Sequence, residues 1–151
     1  MKIAIIGASA RKFGPGGASV ESAKNLIRTI LKDANKGDII ITGDCHNGGV
    51  DSWTKEIAAD LGLATEVYRP DVHEWAPIGK TGYRWKSREM AKNAATIHIL
   101  VVKQYPTDFK GYRYPRCYHC NKVDHIKAGA CWTGQMAGLK KVTWHILEEE
   151  K

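Results

Sequence analysis

Residues 38–51 read "DIIITGDCHNGGVD", and the parsing of this stretch decides the fold. Three consecutive isoleucines and a threonine make a run that is apolar on both alternating faces, the texture of a strand covered on two sides. The run stops at Gly43 in a short polar loop. Beyond it Val50, Trp53, Ile57, Ala58 and Leu61 recur at helical spacing until Gly62 ends the pattern. Strand, glycine-containing loop, helix is the repeating unit of a parallel α/β sheet.

The same unit recurs on either side. Lys2–Ala8 is a nearly continuous apolar run ending in "RKFGPGG", followed by Val20, Ala23, Ile27, Ile30, Leu31 and Ala34 at helical spacing and by Gly37 as a stop. Downstream, "ATEVYRP" reads as a strand, "GYRWKSREMAKNA" as a helix, and "TIHILVV" and "KVTWHIL" as two more strands. The expected fold is therefore α/β: a Rossmann-like open parallel sheet flanked by helices, one domain over 1–151. The chain of 151 residues, 43% hydrophobic and 26% charged, is long enough for one such core.

No apolar run approaches the roughly 20 residues of a membrane span, and Gly7 interrupts the opening run before it reaches signal-peptide length. No membrane association is expected. Lys and Arg outnumber Asp and Glu by 23 to 16, a net charge of +7 that favours anionic partners: a nucleotide, a nucleotide-derived small molecule, or nucleic acid.

The alternation fails over 103–131, which is rich in Tyr, Lys, Arg, Cys and His. Within this insertion the spacing Cys117-x2-Cys120-x4-His125-x5-Cys131 supplies three thiolates and one imidazole, a set that closes a tetrahedron around Zn(II). Such a segment is too short to bury a core of its own, and metal binding contributes on the order of 10 kcal/mol to folding in small finger peptides. The reading is a small zinc-stapled insertion before the last strand, with structural Zn(II) as cofactor and His119 as a spare ligand. Four protein ligands leave no open position for catalysis. A disulfide or redox pair is the alternative. Zinc-held thiolates suit a reducing, cytoplasmic setting.

In an open parallel sheet, ligands bind beyond the carboxyl ends of the strands, so the loops after the first two strands face one crevice. Gly7, Ser9, Gly43, Gly48 and Gly49 are candidates to approach a phosphate through their backbone, and Asp51 to accept from ribose hydroxyls. Asp51 serves equally well as a favourable charge at the start of a helix, and the glycines as turn residues. Arg84, Ser87 and Arg88 share a helical face at i, i+3 and i+4 that suits a phosphate clamp, with Lys80 just before it. Cys45-His46 carries little as a nucleophile and base, because adjacent side chains rarely converge. Trp53, Trp75, Trp85 and Trp144 read as packing, whereas Tyr112, Tyr114 and Tyr118 in the basic insertion suit base stacking.

"IAIIGAS" (3–9), "GDIIITGD" and "GGVD" (37–44 and 48–51), "LGLATEVYRPD" (61–71), "GKTGYRWKSREMAKNA" (79–94) and "TIHILVV" (96–102) together resemble the SLOG superfamily of SMF/DprA- and LOG-like Rossmannoid domains, above all its small YspA-type members. The resemblance covers 1 to about 102 and resumes over 129–142. It implies a nucleotide-binding Rossmann-like domain, with Gly43, Gly49 and Asp51 carried over from the family's glycine turn. Asp44 stands where that turn has a second glycine. The family's Arg-Asn-Arg-Glu-Met helix motif falls on Lys86, Ser87, Arg88, Glu89 and Met90. Members that hydrolyse nucleoside monophosphates carry a glutamate after a Gly-Thr turn; here Thr133 is kept and Met136 takes the glutamate's place.

Three functions follow. The first is a ligand-binding module or sensor for a phosphorylated nucleotide. The second is a nucleoside-monophosphate phosphoribohydrolase-like enzyme, with Glu89 or Asp44 as acid or base. The third is a single-stranded nucleic-acid binder working through the basic insertion and Lys110, Arg113 and Arg116. A homo-oligomer is compatible with each.

Overall fold

The computed structural model describes residues 1–45, 47–75, 82–138 and 141–149; His46 and Lys80 lie outside them. The elements in chain order are β1 (Lys2–Gly7), α1 (Val20–Lys32), β2 (Ile39–Gly43), α2 (Val50–Asp60), β3 (Ala64–Tyr68), α3 (Gly82–Asn93), β4 (Thr96–Val102), α4 (Ala130–Ala137) and β5 (Val142–Leu147). The strands form one five-stranded sheet in the order β3-β2-β1-β4-β5. Every pairing is parallel, from Ile3 beside Ile40 at the centre to Ile99 beside Trp144 near the far edge.

The period-2 geometry of the strands splits the apolar residues into two cores. Ile3, Ile5, Ile40, Leu100 and Val102 face one side, where Ala23, Ile27 and Leu31 of α1 and Val50, Trp53 and Ile57 of α2 cover them. Ala4, Ile6, Ile41, Ile97, Ile99 and Val101 face the other, under Met90 and Ala91 of α3 and Cys131 of α4. This two-sided burial is why the strands read as continuous rather than alternating apolar runs.

The chain runs outward from β1 through β2 to β3, then crosses back to lay β4 against the other side of β1. The connections leaving β1 and β4 therefore part company, opening a crevice at the carboxyl ends of these two strands.

The insertion departs from the sequence expectation in two respects. Its end is not a turn: α4 begins at Ala130, so Cys131 is delivered by the first turn of a helix. Gly129 and Gly134 had broken up the helical pattern there. The insertion also has more to hold it than a metal. Ile126 enters the first core and its N–H bonds the Val102 carbonyl at 2.9 Å, while Cys117 and Ala128 join the second. Among the described residues no helix is long and apolar enough to cross a membrane.

Candidate functional site

Cys117, Cys120, His125 and Cys131 present one ligand atom each, all within 4.8 Å of one another. Cys117 and Cys120 bracket a tight turn in which the Asn121 N–H bonds the Cys117 carbonyl at 2.7 Å and the Cys117 N–H bonds the Lys122 carbonyl at 3.1 Å. Asn121 adopts the left-handed backbone, φ 61°, that such a turn requires. His125 Nε2 stands 3.4 Å from Cys120 Sγ and 3.3 Å from Cys131 Sγ. A tetrahedral ion bound at about 2.0–2.3 Å places its ligands at comparable separations, so the set fits a metal.

The surroundings orient these ligands. Asp124 Oδ1 lies 2.6 Å from His125 Nδ1, the arrangement that keeps the proton on Nδ1 and the Nε2 lone pair facing the sulfurs. The Ala128 N–H and the Trp144 indole N–H donate at 3.4 Å to Cys117 Sγ and Cys131 Sγ, favouring thiolates there. All four cysteines of the chain are free thiols. In the metal-free chain the sulfurs share protons. Hydrogen bonding from Cys131 and His125 holds Cys117 far below the ordinary thiol range, while the Cys117 charge and burial push Cys131 up.

His119 does not join the set. Its ring packs against Trp75 and Tyr118 and lines a cleft of about 560 Å³ at the carboxyl ends of β1 and β4. The floor is Gly7, Ala8 and Ser9 after β1, with Asp51 from the first turn of α2. Tyr83, Lys86, Ser87 and Met90 of α3 make one side. Tyr118, His119, Lys127 and Thr133 make the wall facing it, and Lys12, Cys45 and Trp75 also line it. The insertion thus closes the crevice.

Asp51 is the chemical centre of this cleft. It does not cap α2, whose N-cap is Gly49. Instead it is 6% exposed, and its Oδ1 is the only buried side-chain nitrogen or oxygen without a hydrogen-bond partner among the described residues. Burial pushes its pKa up to about 6, against the opposing pull of the Lys86 ammonium and the Gly7 N–H. Gly43 makes room for the pair: a Cβ there would lie 2.7 Å from Asp51 Oδ2 and 3.0 Å from Lys86 Nζ.

Positive charge surrounds this carboxylate. Lys12, Lys86 and Lys127 all line the cleft, and Lys12 Nζ donates to the Lys127 carbonyl at 2.5 Å. Burial, with repulsion from Lys127 and Arg11, lowers the Lys12 pKa to about 8. Burial raises that of Cys45, which disfavours a nucleophilic thiolate.

Gly7, Ser9, Asp51, Ser87 and Thr133 are brought together as expected; other predicted residues are placed elsewhere. Gly48 and Gly49 do not line the cleft. The Gly48 N–H bonds the Cys45 carbonyl and the Val50 N–H bonds the Ala8 carbonyl. Gly49, at φ 101°, packs so closely that a Cβ would lie 2.4 Å from the Ala8 carbonyl oxygen. These glycines lock two loops together. Asp44 is engaged by Lys55 at 3.2 Å and Arg69 at 2.9 Å. Glu89 lies toward β3, where its charge helps raise the Tyr68 pKa.

Arg84 and Arg88 are exposed, with the Arg84 guanidinium over the Trp132 ring at 5.9 Å. Of the α3 face read from the sequence only Ser87 lines the cleft, and the inward stripe is Tyr83, Lys86, Ser87 and Met90, spaced i, i+3, i+4, i+7. Lys86 and Lys127 were missed. The buried-helix stripe ending in Met90 and Ala91 was the signal for Lys86, whereas Lys127 carried none. No protein-family model matches the chain, and neither any curated protein nor any solved structure matches it.

Proposed function

We propose that the cleft binds a phosphorylated nucleotide or nucleotide derivative, and that the four-ligand set holds a structural zinc ion that shapes the cleft wall. The observation that carries this reading is the buried, unpartnered Asp51 Oδ1 in a cleft ringed by three lysines. A buried carboxylate oxygen left without a donor is costly, and a ligand hydroxyl supplies what is missing. The lysines ask for the opposite end of the same ligand, an anion. A sugar phosphate carries both groups a few ångströms apart. The resemblance to SLOG domains points the same way, with Asp51 in the ribose role. Three thiolates and an imidazole match zinc in ligand type, and zinc held by four protein ligands would act structurally.

Isothermal titration of the zinc-loaded chain with nucleoside monophosphates, the matching nucleosides and inorganic phosphate tests the reading. One monophosphate should bind more tightly than either fragment. Asp51→Asn and Lys86→Met should each weaken it at least about tenfold, the scale of a lost charge-assisted hydrogen bond. Equal binding by phosphate alone, or indifference to Asp51→Asn, would sink it.

A second reading, turnover of that nucleotide, is favoured by the Asp51 pKa of about 6, a value suited to proton transfer near neutrality. Asp51 then takes the part that sequence gave to Glu89 or Asp44. Turnover lost in Asp51→Asn and kept in Glu89→Gln is the expected pattern; no turnover of any monophosphate leaves binding as the function.

A further inference from the structure

We infer that the cleft is the end station of a single-stranded nucleic-acid track formed by a chain of aromatic rings running from the cleft mouth out along the insertion; this rests on the nucleotide reading of the cleft. Ring centroids follow one another from Trp132 to Trp75 at 5.1 Å, to His119 at 5.7 Å, to Tyr118 at 4.4 Å, to Tyr114 at 5.4 Å and to Tyr112 at 4.7 Å. Trp75, His119 and Tyr118 line the cleft, whereas Tyr112 stands outside it.

The rings are not a buried cluster. Trp75, Tyr118 and Tyr112 are exposed, at 42%, 52% and 72%, whereas His119 and Tyr114 between them are half-buried. The contacts among Tyr112, Tyr114 and Tyr118 are edge-to-face, a geometry that leaves ring faces open to a further flat partner. Two cations lie against the chain: the Arg84 guanidinium is 5.9 Å from the Trp132 centroid at one end, and Lys127 Nζ is 4.9 Å from the Tyr114 centroid and 5.3 Å from that of Tyr118. Single exposed aromatics need no explanation. A connected chain of them, with positive charge against it and ending in a cleft, does.

The chemistry selects the occupant. Open ring faces accept bases of any sequence by stacking, and the adjacent cations follow a phosphate backbone. In a duplex the base faces are already covered by their neighbours, so a single strand is required. An acidic peptide would satisfy the lysines and leave the rings unused. Arg113 is not part of the track: its guanidinium bonds the carbonyls of Pro106 and Thr107 at 3.0 and 3.3 Å and so braces the loop.

Fluorescence anisotropy on the zinc-loaded full chain provides the test, with a labelled oligothymidylate of about 12 nucleotides, the matched duplex and polyglutamate as probes. The single strand should bind at least about tenfold more tightly than the other two, with affinity falling as salt rises. Tyr112→Ala should weaken it by about tenfold and Tyr112→Phe hardly at all, since stacking needs the ring and not the hydroxyl. Mononucleotide affinity should be the same in wild type and Tyr112→Ala. Equal binding of duplex or polyglutamate, or indifference to Tyr112→Ala, overturns the track and leaves the cleft reading standing. Strand binding that depends on Tyr112 without any mononucleotide binding overturns the cleft as its end station.

Discussion

Gly7, Ser9 and Asp51, on the floor of the cleft, extend from β1 and α2, whose apolar residues are buried in the core between sheet and helices. Tyr118, His119 and Lys127, on its wall, belong to a stretch without helix or strand, in which a single antiparallel bridge joins Cys117 to Lys122. The floor takes its shape from hydrophobic burial and a regular ladder of hydrogen bonds. The wall has few core contacts, through Ile126, Cys117 and Ala128, and is built around four side chains that could hold a metal; the cleft-lining residues alternate with them, Tyr118 and His119 falling between Cys117 and Cys120 and Lys127 between His125 and Cys131. One binding site is thus made by two kinds of physical chemistry, and the two halves should fail under different insults.

Metal removal separates them most sharply. Chelation should loosen 117–131, seen as fast amide exchange there, while the central strands β1, β2 and β4 stay protected. Ligand affinity should drop by at least about a hundredfold, because the wall contributes Lys127 and the rings, and bound zinc contributes on the order of 10 kcal/mol to folding in comparable finger peptides. Chelation is a cleaner perturbation than substituting Cys117 or Cys131, since both side chains are fully buried in the second core. Exchange that accelerates equally over floor and wall would show that the halves do not fail separately.

Asp51→Asn sharpens the comparison from the floor side. The carboxyl is held by burial at a pKa of about 6, above its ordinary 3.8. The folded state therefore binds the proton more tightly than the unfolded state, and stability falls as pH rises from about 4 to about 6. Above that window the ionised carboxylate costs about 2 to 3 kcal/mol. The variant should melt higher than wild type at pH 7, lose the pH dependence between 4 and 6, and lose ligand affinity. A residue that stabilises when removed and disables when removed is placed for binding. A lower melting temperature at pH 7 would instead make Asp51 a structural residue.

The same contrast explains what could be read in advance. The strands were legible because burial on both faces leaves continuous apolar runs, as in Ile39–Ile41, and the helices because Ala23, Ile27 and Leu31 repeat at their period. The metal set was legible because ligands close in sequence must keep a narrow spacing. On α3 charge drew attention to the exposed Arg84 and Arg88, whereas the lysine that lines the cleft is the one whose stem is buried: Lys86 is 8% exposed. The glycines at 48 and 49 looked like a phosphate cradle, yet the Gly48 N–H bonds the Cys45 carbonyl and Gly49 packs against the Ala8 carbonyl. Tyr112, Tyr114 and Tyr118 stood out by composition alone, whereas Lys127 and the joining of those rings to His119, Trp75 and Trp132 could not be seen, since they follow from how the insertion folds back on the sheet and from no periodic pattern.

Lys12 tests how far floor and wall act together, and its effect should be the smallest of these. It arises beside the floor and reaches across to the wall, donating to the Lys127 carbonyl. Burial and its cationic neighbours lower its pKa to about 8, below the ordinary 10.5, so in the folded chain it is half deprotonated near pH 8. An anion in the cleft binds best while Lys12 is charged. Monophosphate affinity should accordingly be flat below about pH 7, fall about twofold by about pH 8 and several-fold by about pH 9.5. In Lys12→Met the affinity at pH 7 should already be lower by a similar factor, and the decline should vanish. A decline that persists in Lys12→Met belongs to another group. In that event the lysine serves only to tie wall to floor, and amide exchange around Lys127 should rise in the variant while affinity stays unchanged.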